Sequence, residues 1–61
     1  MKKYLVTFEW SLDTRPQTNR CVVWASSEAN ALNIARTRLR SFATSFGVSW
    51  RIVSEQVAPD I

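Results

Sequence analysis

The sequence predicts an α+β fold: a three-stranded antiparallel or mixed sheet in β-β-α-β order, with one helix packed on one face. Three observations carry this. Residues 3–12 alternate apolar and polar side chains with period two, residues 27–44 repeat apolar positions at helical spacing, and residues 48–54 alternate again.

The first strand reads K-Y-L-V-T-F-E-W-S-L over 3–12. Tyr4, Val6, Phe8, Trp10 and Leu12 share one parity. Lys3, Thr7, Glu9 and Ser11 share the other, with Leu5 the apolar exception. Aromatic and β-branched residues at period two mark a half-buried strand. Residues 13–19, D-T-R-P-Q-T-N, are polar and hold Pro16, and are expected to form a long hairpin loop. Residues 20–25, R-C-V-V-W-A, supply the second strand, with Cys21, Val23 and Ala25 opposite in parity to Arg20, Val22 and Trp24.

Ser27, or alternatively Ser26, is placed to cap a helix, its hydroxyl accepting from a free amide of the first turn. Glu28 complements the positive end of the helix dipole. Ala31, Ala35, Leu39 and Phe42 recur at spacings of four, four and three, flanked by Leu32 and Phe46. The helix is expected to end near Thr44, with Gly47 as the break. The third strand is expected over 48–54, with Val48, Trp50 and Ile52 inward. Gln56 begins the departure from it, and residues 57–61, with Pro59, are expected to be a loose tail on a single domain of residues 1–61.

A helix between strands two and three returns strand three parallel to strand two by a right-handed crossover. Strand one then lies between them, antiparallel to both. The helix is expected to cover Tyr4, Val6, Phe8, Trp10, Cys21, Val23, Val48, Trp50 and Ile52. One helix cannot cover both faces. The other face is expected to show Lys3, Leu5, Thr7, Arg20, Val22, Trp24, Arg51 and Val53.

Composition narrows the function. In 61 residues, 46% are apolar, with three Trp, three Phe and one Tyr, enough for a single core and too hydrophobic for a disordered chain. The one cysteine, Cys21, forms no internal disulfide and is expected to be a buried strand thiol; a reactive or intermolecular thiol is the alternative. Histidine is absent, which removes the commonest general base and metal ligand. The one glycine excludes a Gly-rich phosphate loop. The five acids, Glu9, Asp13, Glu28, Glu55 and Asp60, fall on different elements and are expected to be solvated. No enzyme, cofactor, metal or small-molecule substrate is expected. No apolar run reaches the ~18 residues of a membrane span. Glu9 interrupts what would be the apolar stretch of a signal peptide, so a cytoplasmic protein without a membrane partner is expected.

Two surface features remain. On the open face, Trp24 with Leu5, Val22 and Val53 forms an apolar centre bordered by Lys3, Arg20 and Arg51. Exposed apolar patches mark interaction sites, and Trp and Arg are enriched at binding hot spots. This face serves either as a partner site or as a surface covered by a second copy through Trp24 and Val22, by the tail or by the hairpin loop. Basic groups around an aromatic also suit single-stranded nucleic acid. On the helix, Arg36, Arg38 and Arg40 form a basic stripe, read either as a solvated face or as a contact for phosphates or an acidic partner; the net charge of +3 permits both.

A set of segments is similar to one known family. Lys2-Lys3 precedes an aromatic opening strand. V-V-W-A-S-S-E-A-N-A-L-N-I-A at 22–35 carries a strand-to-helix junction with a small residue, a hydroxyl cap and a helix rich in Ala and Leu. S-W-R-I-V at 49–53 is followed by V-A-P at 57–59. This pattern resembles the small inhibitors of bacterial RNA polymerase carried by podovirus-type phages. The resemblance implies a phage protein acting in the host cytoplasm, binding the polymerase and inhibiting transcription. It also implies contact through arginines of the last strand. Arg51 matches one such position, and the other is held by Val53. That family is acidic along one face where this chain has its basic helix. The expected contact is Arg51, Trp24, Val53, Lys3 and Arg20. The alternative is a small basic nucleic-acid-binding module using Arg36, Arg38 and Arg40 or the open face.

Overall fold

The computed structural model describes residues 1–60. Strand β1 (Lys2–Leu12), strand β2 (Arg15–Ala25), helix α1 (Glu28–Thr44) and strand β3 (Trp50–Pro59) follow in that order. The sheet is open and three-stranded, in order β2-β1-β3, with both neighbours antiparallel to β1. The predicted α+β class and topology are the observed ones.

Both edge strands are longer than their sequences suggest. The expected loop at 13–19 is a turn of only Asp13 and Thr14, since Leu12 already opposes Arg15. Asp13 adopts a positive φ of 58°, which lets so short a turn close. A two-residue turn closes on a mutually hydrogen-bonded pair, and such pairs then alternate along the ladder. Pro16, opposite Ser11, therefore falls at a position where its missing N–H faces away from β1. That is why a proline fits inside this strand.

The expected loose tail is also strand. Val57 opposes Val6 and Pro59 opposes Tyr4. The Asp60 amide donates to the Lys3 carbonyl at 3.0 Å. Only Ile61 of that tail lies outside the described residues. The strand could not be read by period two because its parity changes. Glu9 opposes Ser54 but Trp10 opposes Ile52, leaving Val53 as an extra residue in a β-bulge. Before the bulge Trp50 and Ile52 face the helix, and after it Glu55 and Val57 do. Val48 lies in the connection before β3 and is exposed, not core as expected.

Helix α1 starts as predicted. Ser27 has extended backbone, and its Oγ accepts from the Asn30 amide at 3.2 Å. Gly47 ends the turn after α1 with φ 71°, and its amide donates to the Thr44 carbonyl at 3.1 Å. The buried stripe is Ala31, Ala35, Leu39 and Ala43. Phe42 was expected to end that stripe. The spacing of four continues to Ala43 instead, and Phe42 lies beside it, half exposed at 50%. Its ring meets the edge of Trp10 at a centroid distance of 6.2 Å and that of Phe46 at 5.1 Å.

Beneath α1 lie Tyr4, Val6, Phe8, Trp10, Val23 and Ala25, all buried, with Cys21, Trp50, Ile52 and Val57 partly buried around them. Each large side chain buried here contributes about 1.5–3 kcal/mol. Trp10 keeps its indole Nε1 without a hydrogen-bond partner among the described residues. Losing that bond offsets part of the gain, by about 1–3 kcal/mol.

Candidate functional site

The pleat places every expected open-face residue on the side of the sheet away from α1. Lys3 opposes Trp24, Leu5 opposes Val22, and Thr7 opposes Arg20. Arg51 opposes Ser11 from the other side. Trp24 is 61% exposed, Val53 62% and Val22 47%, and none of the described elements packs over them. Val53 owes its place to the bulge, which seats it beside Glu9, Ser11 and Thr18 in a shallow groove of about 240 Å³.

These residues do not converge on one point. Lys3 and Ser11 are eight positions apart on β1, which is ~27 Å at ~3.4 Å per residue. Trp24 therefore stands at one end of the face and Arg51 with Val53 at the other, with Arg20 between. The Trp24 end has its own groove, about 500 Å³, shared with Lys2, Lys3, Pro59 and Asp60. The Lys3 ammonium lies 3.6 Å from the Asp60 carboxylate, so this rim cation is partly engaged within the chain. Arg20 and Arg51 form no ion pair among the described residues. Glu9, exposed between Thr18 and Ser54, places one carboxylate in the middle of the face. Its parity with Lys3 and Thr7 was visible in the sequence and was the signal that it belonged here.

The helix stripe is not the row of free cations the sequence suggested. Arg36 grips Glu55 with both arms of its guanidinium: Nε donates to Oε2, and Nη2 donates to Oε1 at 2.7 Å. This pairing holds the Glu55 carboxyl below its ordinary range and raises the guanidinium further, in each case chiefly through the shared hydrogen bonds. Glu55, expected to be a solvated acid, is here because the bulge turned it toward α1. Arg38 leans the other way, its Nη1 donating to Cys21 Sγ at 3.4 Å. Cys21 is half-buried rather than fully buried. Arg40 alone of the three has no ion pair or hydrogen bond of its side chain among the described residues.

A wide, shallow concavity of about 780 Å³ lies off the open face between the hairpin tip and the connection into β3. Asp13, Gly47, Val48, Ser49 and Trp50 line it, with Asp13 its one titratable group. No group of three or more His, Cys, Asp or Glu that could hold a metal occurs among the described residues. No described helix is long and apolar enough to cross a membrane.

The chain is thus a small α+β domain whose most distinctive surface is a bare sheet face. No family model, curated protein or solved structure matches it.

Proposed function

We propose that this is a small non-catalytic binding protein whose open sheet face docks on another protein. The observation that carries this reading is the exposure of Trp24, Val22 and Val53 together on a face that the helix leaves bare. Apolar side chains at the centre with arginines at the margin suit a protein interface, where aromatics and Arg are enriched. Glu9 and the Lys3–Asp60 pair reduce the positive charge of that face. The Arg36–Glu55 pair does the same for the helix. Both favour a protein partner over a nucleic acid, whose affinity rests on free cations.

The resemblance to phage inhibitors makes bacterial RNA polymerase the first partner to test, with Arg51 seated on an acidic host surface and transcription inhibited as a result. The test is retention of partners from a nuclease-treated bacterial lysate by the tagged protein. Retained polymerase subunits, lost with Arg51→Glu, support the whole reading. A single different host protein lost with the same variant keeps the docking face and discards the polymerase. A retained protein indifferent to both Arg51→Glu and Trp24→Ala overturns the face. Because the two side chains stand far apart, their effects on affinity should add.

A further inference from the structure

We infer that the outer edge of β2 is a pairing site for a second copy of this chain, joining two sheets antiparallel across a twofold axis at Val22. The starting point is where the backbone groups point. Residues of β1 bond alternately to the two sides, and the Asp60 amide bonding the Lys3 carbonyl assigns the odd positions to β3. The turn closing on Leu12 and Arg15 assigns the even ones to β2. On β2 the residues opposite the odd positions are Pro16, which has no N–H, and then Thr18, Arg20, Val22 and Trp24, whose N–H and C=O groups face outward with no strand beside them among the described residues.

The two edges of the sheet are not alike. The β3 edge is interrupted by the bulge at Val53 and ends in Pro59, opposite Tyr4, whose missing N–H falls on the outward side. Bulges and edge prolines are the usual means of blocking edge-to-edge pairing. From Gln17 to Ala25 the β2 edge has neither. It also carries two of the chain's exposed large apolar side chains, Val22 and Trp24.

The side chains select the occupant and the register. An antiparallel twin centred on Val22 sets Val22 against its own copy and Trp24 against Arg20 of the second copy, twice by symmetry. A guanidinium over an indole face is attractive, and no like charges oppose each other. A twin centred on Arg20 would oppose two arginines, which is unfavourable. Room is available on the helix side. Helix α1 reaches β2 through Arg38–Cys21 and β3 through Arg36–Glu55, so it lies over the central strand. Two such helices then stand three strand spacings apart, ~14 Å, beyond direct helix packing. The joined sheet also sets two open faces side by side.

Sedimentation equilibrium on the full chain, from micromolar to millimolar, tests this, together with amide hydrogen exchange at both ends of the range. The mass is expected to rise from 7.0 kDa toward twice that. The amides of Arg20, Val22 and Trp24 should gain protection with concentration, while those of Cys21 and Val23 are protected throughout. Trp24→Lys sets a cation against Arg20 of the second copy and, being exposed, leaves the fold intact. It should weaken association at least ~10-fold, as the loss of a favourable contact replaced by repulsion implies. Val22→Pro removes only an outward N–H and should do the same. A monomer at millimolar concentration overturns the proposal, as does a dimer indifferent to both variants. A dimer from which no host protein is retained leaves this proposal standing and overturns the docking reading, and a retained host protein with a monomer at millimolar concentration does the reverse.

Discussion

Strands β2 and β3 both pair with β1 along most of its length, yet β2 follows it residue for residue from Lys2 to Leu12 while β3 gains one residue at Val53. On the regular side, the residues facing the helix run from Ala25 through Val23 and Cys21 to Asn19, apolar near the helix start and polar beyond. On the bulged side the extra residue swaps which parity faces inward and delivers Glu55 to Arg36. The lesson is that, for this sequence, forming the bulge rather than a regular ladder decides whether β3 meets the helix with Glu55 or with Ser54. It also decides which edge stays open.

The comparison presupposes a central strand that holds both edges, and the largest expected effect tests that. Phe8 is fully buried between Asn19 on one side and Glu55 on the other. Phe8→Ala should cost about 3–5 kcal/mol. For a chain of this length, at ~0.05–0.15 kcal/mol per residue, that is most of the stability. The expected outcome is loss of a cooperative urea transition by circular dichroism. Val53→Ala on the exposed bulge should move the midpoint by no more than ~0.5 kcal/mol. Equal effects of the two would mean that the core does not lie where β1 places it.

A sharper probe is deletion of Val53. Without the extra residue Ser54 follows Ile52 directly and still opposes Glu9, so the bulge closes into a regular ladder and Glu55 and Val57 keep their helix-facing positions. Since Val53 is exposed and no core side chain changes place, the expected change is about 1 kcal/mol or less. The readout is the urea midpoint together with the exchange of the β3 amides. Loss of the Arg36–Glu55 contact with a fall of about 1.5–3 kcal/mol, the burial of Val57, would show that β3 does not hold this register along β1.

The same contrast explains which parts were legible in the sequence. β1 was plain because one of its faces is buried from Tyr4 to Trp10, so composition and period agree. The helix cap at Ser27 and the break at Gly47 were plain because each is a local device with its own residue type. The first half of β2 read as loop because Pro16, Gln17, Thr18 and Asn19 lie beyond the buried core, where neither face demands apolar residues. The end of β3 read as tail because the bulge breaks the alternation at Val53. Phe42 read as core because spacing of three and spacing of four are both helical, and only the packed sheet selects Ala43. On the site, side-chain parity was enough to gather Lys3, Trp24, Arg20 and Arg51 on one face. It could not show the ~27 Å that separates its ends, which follows from strand length. Nor could it show that Arg36 is paired, since its partner is 19 positions away across the bulge.

The smallest effect expected distinguishes the two edges by pH. Glu55 is held below its ordinary pKa by the hydrogen bonds from Arg36. A depressed carboxylate contributes stability that is fully present above its unfolded pKa, ~4.3, and that disappears as pH falls through the lower folded value. Glu55→Gln should therefore lower the urea midpoint at pH 7, and its difference from wild type should shrink steadily from about pH 4 downward. Added salt should shrink it too, because the pair is partly open to water. The matching contact on the other edge, Arg38 with Cys21, involves no carboxylate. Arg38→Ala should differ from wild type by the same amount at both pH values. If Arg38→Ala showed the acid-dependent convergence and Glu55→Gln did not, the carboxylate would not be the group that ties β3 to the helix.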